Sequence, residues 1–289
     1  MKHGPWQAVE TQDGSWTLLE SRLGQACHAR EGAWTEARER YATPTRLRER
    51  ANSADAPARL RILDVGTGLG WNLAAALEAV EGTGCALEIV SLERDPRVIE
   101  ACLDLCSQRP VAGPQASAFH QRIARALAAC LADPRLAERG GVDLSGSGRL
   151  SLWLGDGRET LNRASGQVSG FDAVLLDPFS PGVDPPLWQL GFLEQVAACM
   201  APGSLLSTYT ASAKVRARLL AAGLLVGIGP RVGGKAQGTL ASPDRPLPEL
   251  DSRSVGRLMR RALGEFERAH GRGVGQVQDP SGERSGGRA

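Results

Sequence analysis

Residues 59–72, RLRILDVGTGLGWN, carry types and spacing that point to chemistry. An apolar run (Ile62, Leu63, Val65) leads into Gly66-Thr67-Gly68-Leu69-Gly70 and then into the helix-forming residues 73–80. A glycine turn between strand and helix brings amide N–H groups close to a ligand, beside the positive end of the helix. Asp64 stands just before the turn. The spacing is GxGxG rather than the GxGxxG of dinucleotide folds, and Trp71 follows the third glycine. A second acid, Glu93, ends the next apolar run, residues 87–92, where a cofactor ribose lies in a parallel sheet. This set favours a nucleoside-bearing cofactor, and S-adenosylmethionine over NAD.

Two further acids close later strands. Asp156, in Gly155-Asp156-Gly157, suits a bond from an adenine amino group and equally suits the cap of the helix that follows. Asp177 ends the near-continuous apolar run FDAVLL, on the side of a parallel sheet where ligands bind. Pro178 holds the backbone after it extended or turning, which makes a rigid rim rather than a helix start. A sulfonium methyl is already activated, so its transfer needs alignment, exclusion of water and a neutral acceptor. An amine acceptor must first shed a proton, and Asp177 is the acid best placed to take it. The alternative is that Asp177 only braces its turn. Phe179, Trp188 and Tyr209 follow strand ends on the same rim, as base-stacking platforms or as packing.

The elements that must position these groups alternate. Predicted strands cover residues 86–92, 150–154, 171–176 and 204–209, and helices cover 96–106, from 158, up to Met200, and 213–222. Residues 201–203 read as a turn, and residues 224–228 and 238–241 as a terminal hairpin. The reading is α/β: a Rossmann-like, class I methyltransferase sheet, mostly parallel with a C-terminal antiparallel hairpin. A helical insertion, residues 108–148, holds one helix at 118–131 on the outside of the sheet and a loop at 140–148. Residues 1–57 form an N-terminal extension at the substrate and cofactor entrance, with a strand at 16–19 and helical spacing through about Arg50. The Pro/Arg-rich residues 244–289 form a tail with a helix at 253–270 and a disordered end. His28 reads first as a buried, hydrogen-bonded residue, and it is also a candidate for the substrate side.

Composition adds bounds. The net charge of +2 demands no acidic partner, and only Lys2, Lys214 and Lys235 among 34 basic residues are lysines, a bias that reads as genome composition. Cys102 and Cys106 suit one helix face, but no matching ligand pair follows, so the six cysteines read as reduced thiols and no metal is expected. No stretch approaches the ~20 apolar residues of a membrane span and no signal-peptide pattern is visible, so a cytoplasmic location is expected.

DPFSPGVDPPLW at residues 177–188, STYTASAKVRARLLAAGL at 207–224 and GGKAQGTLAS at 233–242 resemble the MnmC methyltransferase family, the DUF752-type tRNA methyltransferases. DGSWTL and HAREGAWTEA, upstream, are similar to the N-terminal segment of its stand-alone members, and the resemblance spans residues 11–242 in family order. It implies an S-adenosylmethionine-dependent enzyme that converts 5-aminomethyl to 5-methylaminomethyl on the wobble uridine of tRNA, in the anticodon stem-loop. Longer members carry a fused FAD oxidase. Here a separate oxidase would act upstream. By position, the resemblance implies that Asp64, Gly66, Thr67, Gly68, Gly70, Glu93, Asp156 and Gly157 hold the cofactor. Asp177 would face the methyl, with His28, Phe179, Pro181, Trp188, Tyr209 and Lys235 toward the substrate. Two positions depart from the family pattern: Pro178 where many relatives have glycine, and Gly233-Gly234-Lys235-Ala236 where the family reads G-R-K-R. The alternatives are an aminopropyltransferase of the spermidine synthase type, suggested by GDGRETL and ERDPRVIE, and a non-catalytic descendant that binds S-adenosylmethionine or RNA.

Overall fold

The computed structural model describes residues 4–108, 114–233 and 237–271. Strands β1 (Trp6–Glu10), β2 (Trp16–Glu20) and β3 (Gln25–Ala26) form an antiparallel meander. Helix α1 (Ala33–Glu36) continues as a π-helical segment, Ala37–Ala42, and α2 (Leu47–Ala51) follows after a break at Arg46, which is left-handed. Then come β4 (Arg59–Val65), α3 (Trp71–Val80), β5 (Ala86–Glu93), α4 (Pro96–Gln108) and α5 (Pro114–Ala132). They are followed by β6 (Val142–Asp143), β7 (Gly148–Leu154), α6 (Gly157–Ser165) and β8 (Phe171–Leu176). The last described elements are α7 (Leu190–Ala198), β9 (Met200–Thr208), α8 (Ala213–Ala221), β10 (Leu225–Ile228), β11 (Thr239–Ser242) and α9 (Ser252–His270).

Among the described residues, eight strands form the main sheet in the order β10-β11-β9-β8-β4-β5-β7-β6. β4 pairs in parallel with β5 on one side and β8 on the other, so the turns that follow these strands share one edge. This reversal of strand order beside β4 is the crevice where open parallel sheets bind ligands. The strands are apolar on both faces because helices cover both. Leu60, Ile62 and Leu175 join one buried cluster, and Leu63, Val174 and Leu176 the other.

Four sequence expectations differ from the structure. Residues 201–203 lie inside β9 rather than in a turn, and Met200 pairs with Phe171 instead of ending a helix. An irregularity in the β8–β9 register absorbs this stretch, where Pro202 offers no N–H to a ladder. The expected loop at 140–148 holds β6, paired antiparallel to β7. Strand β1 was not expected at all. Helix α5 starts at Pro114 and lies against α3 and α4 as well as reaching β7. That explains why α3 is buried on nearly every side, from Trp71 through Leu77.

Gly70 makes the contact between α3 and α5 possible. It has a φ of 78°, and a Cβ there would sit 2.8 Å from Ile123 Cγ2 and 3.1 Å from Leu127 Cδ1 on α5. Gly70→Ala is expected to cost about 1–3 kcal/mol, from the left-handed backbone and the overpacking together. Urea unfolding midpoints of the two proteins measure it.

The hairpin β10–β11 is present, with β11 antiparallel to β9. Beyond it, α9 is capped by Asp251, which accepts from Ser254 N at 2.9 Å. It packs on α8 through Leu258 and Ala262 and through an Arg218–Glu265 ion pair of 3.0 Å. The expected disordered end beyond Gly271 lies outside the described residues.

Candidate functional site

At the carboxyl ends of β4, β5, β7 and β8 the chain encloses a cavity of about 370 Å³. Gly66, Gly68, Glu93, Asp156, Gly157 and Asp177 are in its wall. The N-terminal segment lines it too, through Trp6 and Gln25 of the meander and His28 beyond it, among others. Among the described residues, seven carboxylates line it (Glu20, Glu36, Glu93, Asp95, Asp156, Asp177, Asp184) against three arginines (Arg22, Arg94, Arg97), a balance that suits a cationic ligand.

Gly66 is there because the backbone of the Asp177 segment presses on it. Its φ is 90°, and a Cβ would stand 2.6 Å from the Asp177 carbonyl oxygen. The Asp177 N–H in turn donates to the Val65 carbonyl at 2.9 Å, so the first glycine turn and the β8 turn are held as one unit.

Glu93 accepts from Gly68 N at 3.0 Å and from Asp95 N at 2.9 Å, one bond to each oxygen. A carboxylate offers about four acceptor sites, so capacity remains on a residue that lines the cavity. Burial raises the pKa of its carboxyl, opposed by these backbone bonds. Asp156 caps α6, accepting from Arg158 N at 2.9 Å, and it also lines the cavity. The Arg158 guanidinium beside it holds its carboxyl down to about 2.

Asp177 accepts from the Tyr41 hydroxyl at Oδ1 (2.5 Å) and from Asn72 Nδ2 at Oδ2 (2.9 Å). Desolvation, and then the charge of Glu36, push its pKa well above the usual carboxylate value, while the Tyr41 and Asn72 bonds oppose the rise. Tyr41 is itself buried, and its phenol is pushed well up, so it stays a donor to Asp177. Glu36 pairs with the buried Arg40 (3.3 Å) and accepts from Ala29 N at 2.6 Å. Arg40 reaches on to the Pro230 carbonyl at 3.2 Å, tying the π-helical segment to the loop ahead of β11.

Phe179 and Tyr209 also line the cavity, with Phe179 stacked on Trp6 at 6.1 Å and the Tyr209 hydroxyl donating to the Pro178 carbonyl at 3.0 Å. His28 lines it while its Nδ1 lies 3.3 Å from Thr17 Oγ1.

Several candidate residues stand elsewhere. Asp64 is wholly buried behind the turn, accepting from Ser91 Oγ at 2.6 Å, and Thr67 contacts the same serine hydroxyl at 2.6 Å. Gly70 faces α5 rather than the cavity. Trp188 is fully buried: its Nε1 donates to the Phe179 carbonyl at 2.7 Å and its ring meets Tyr209 edge-on at 6.0 Å. Pro181 lies in the same loop but is not among the lining residues, and Lys235 lies outside the described residues. The sequence reading missed Tyr41, Asn72, Glu36 and Trp6. Asn72 sits in the GLGWN stretch and was within reach of that reading. The others come from the N-terminal segment, whose chain distance from β8 hides the contact.

Asp64 yields a pH prediction. Desolvation pushes its carboxyl up to about 7, with Ser91 opposing, and its Oδ1 has no hydrogen-bond partner among the described residues. The folded state therefore holds the proton more tightly than the unfolded chain. That stability is full below pH 4 or so and is lost as the pH rises to about 7. The loss is on the order of 4 kcal/mol. Asp64→Asn is expected to flatten this decline, as read from urea midpoints taken across pH 4 to about pH 8.

Over residues 119–244 the chain matches the family described as S-adenosyl-L-methionine-dependent methyltransferase. It is 32% identical over 240 residues to the tRNA 5-methylaminomethyl-2-thiouridine biosynthesis bifunctional protein MnmC of Aromatoleum aromaticum, covering 81% of this chain and 34% of that protein. The crystal structure of MNMC2 from Aquifex aeolicus superposes with a TM-score of 0.70 at 29% identity, over 88% of this chain and 75% of that one. The chain is an MnmC-like, S-adenosylmethionine-dependent methyltransferase. It is also 29% identical to the MnmC of Pseudomonas aeruginosa strain UCBPP-PA14, over 79% of this chain. It spans about a third of the length of these bifunctional relatives. Among the described residues no helix is long and apolar enough to cross a membrane.

The site fits the cofactor. Glu93 has acceptor capacity left for a ribose diol at the end of β5, Asp156 stands at the end of β7, and the carboxylate-lined wall suits a sulfonium.

Proposed function

We propose that this MnmC-like methyltransferase is an N-methyltransferase acting on the 5-aminomethyl group of a tRNA wobble uridine, giving 5-methylaminomethyl. Asp177 carries the reading: a carboxylate in the cavity wall, both oxygens held by neutral donors, with its proton affinity raised by burial. A carboxylate with raised proton affinity is a better proton acceptor for an amine than an ordinary one, and the carboxylate-lined cavity favours an amine over a phosphate at its centre.

In this reading Gly66, Gly68, Glu93, Asp156 and Gly157 hold S-adenosylmethionine, which supplies an activated methyl on a sulfonium when bound. Asp177 orients the acceptor amine and accepts the proton that the nitrogen gives up. Tyr41 and Asn72 fix the carboxylate, while Phe179, Tyr209 and His28 shape the acceptor side. Asp64 and Trp188 act from behind, Asp64 through Ser91 and Trp188 through the Phe179 carbonyl. A separate FAD oxidase would supply the free aminomethyl group by removing a carboxymethyl.

Steady-state methyl transfer to tRNA bearing 5-aminomethyluridine, followed across pH, tests the reading. Because the Tyr41 hydroxyl lowers the Asp177 pKa, Tyr41→Phe should move the acid limb of the rate profile to higher pH and lower kcat by about tenfold. No transfer by the wild-type protein would remove the acceptor assignment. An unshifted acid limb would remove Asp177 as the titrating base.

A further inference from the structure

Behind the glycine turn, between α4 and α5, three ligand groups converge. Cys102 Sγ and Cys106 Sγ, one turn apart on α4, are 4.0 Å from each other. Cys106 Sγ is 3.8 Å from Nδ1 of His120 on α5. The ligating atoms of all three residues lie within 4.8 Å of one another. His120 Nε2 lies 2.8 Å from the Leu69 carbonyl. A carbonyl only accepts, so the proton is on Nε2 and the Nδ1 lone pair faces the thiols. Trp71 stacks on the imidazole at 4.1 Å, and His120 is fully buried, so the ring has one orientation.

We propose that Cys102, Cys106 and His120 form a structural zinc-class metal site that clips α4 and α5 to the back of the glycine turn. Zn–S bonds of about 2.3 Å and Zn–N bonds of about 2.0–2.1 Å set tetrahedral ligand–ligand edges of roughly 3.5–3.8 Å. The observed 4.0 and 3.8 Å edges need a few tenths of an ångström of closure, and the Cys102–His120 edge, within 4.8 Å, needs the Cys102 thiol to leave the Leu69 carbonyl (3.4 Å) and close by up to about 1 Å. Histidine bound through one nitrogen while the other donates to a backbone carbonyl is the arrangement that orients metal ligands, and Leu69 supplies that carbonyl here. Two thiolates favour a soft or borderline d¹⁰ cation over magnesium or calcium. Loading displaces the protons still held by the two thiols to the buffer and leaves the neutral imidazole unchanged, with the fourth position open to a water. The sequence shows the two cysteines but not the third ligand, because His120 lies on the next helix.

The test uses the full chain, purified under reducing conditions and stripped with chelator, and titrated with Co²⁺ and then with Zn²⁺. The expected result is one cobalt per chain with tetrahedral d–d bands and thiolate charge-transfer absorption. Loading of the stripped protein should release thiol protons, and zinc should then displace cobalt without further proton release and raise the melting temperature in a concentration-dependent way. Cys106→Ser should lose the charge-transfer band and the zinc-dependent rise while melting like the metal-free wild type, whereas Cys27→Ser should keep both. An octahedral spectrum, substoichiometric binding in the wild type, or bands retained by Cys106→Ser would overturn the site.

Discussion

Asp177→Asn is expected to lower kcat for methyl transfer by about 10²- to 10⁴-fold, the range for a positioned proton acceptor, and to change cofactor affinity only a few-fold. The substitution keeps the size of the side chain and an oxygen to accept from Tyr41 or Asn72, so the loop it anchors is preserved. What it removes is basicity. Wild-type activity should fall as the pH drops through the raised pKa of Asp177, and the variant's residual activity should show no such limb. Calorimetric titration with S-adenosylhomocysteine, beside single-turnover rates, separates the two effects. A rate within tenfold of wild type would reduce Asp177 to a brace for its turn.

Trp188→Ala should have the largest effect on stability. Trp188 is 0% exposed, and its indole N–H is the partner of the Phe179 carbonyl, while its own carbonyl accepts from Arg218 at 3.0 Å. Truncation removes a large buried ring and leaves a carbonyl unpaired, at a cost of about 3–5 kcal/mol. That is a third or more of the stability of an ordinary domain. Trp188→Phe keeps most of the packing but not the hydrogen bond, and should cost about 1–2 kcal/mol. Because Phe179 follows Asp177 by two residues, both variants should also weaken methyl transfer through the loop. Equilibrium urea unfolding measures the stability. A loss below about 1 kcal/mol for the alanine variant would contradict the role of Trp188 as the core support of this rim.

The alternating strands and helices were legible because each central strand is a short apolar run closed by an acid or a glycine: Asp64, Glu93, Asp177. Phe171–Leu176 appears in the structure with its expected bounds, since a strand buried on both faces leaves little ambiguity in the sequence. Residues 201–203 misled because Pro-Gly signals a turn locally, while pairing with β8 imposes an irregular strand. Cavity-lining residues were legible where the glycine turn or a strand end carries them, as with Gly68, Glu93 and Asp156. Tyr41 and Glu36 were not, because nothing local tells a π-helical segment that it will lie over β8. Trp188 carried the type of a stacking platform, but an aromatic at a rim serves equally as packing, and its side chain went inward. The Cys102–Cys106 spacing showed a helix face and no more until α5 brought His120 beside it.

Nucleoside mass spectrometry tests the central claim most directly. tRNA bearing 5-aminomethyluridine would be incubated with the protein and methyl-labelled S-adenosylmethionine, digested, and compared with a parallel Asp177→Asn reaction. The account predicts that this one nucleoside gains a single labelled methyl with the wild-type protein and almost none with the variant. An unmodified nucleoside, from protein that binds S-adenosylmethionine normally, would contradict it and send the search to another amine.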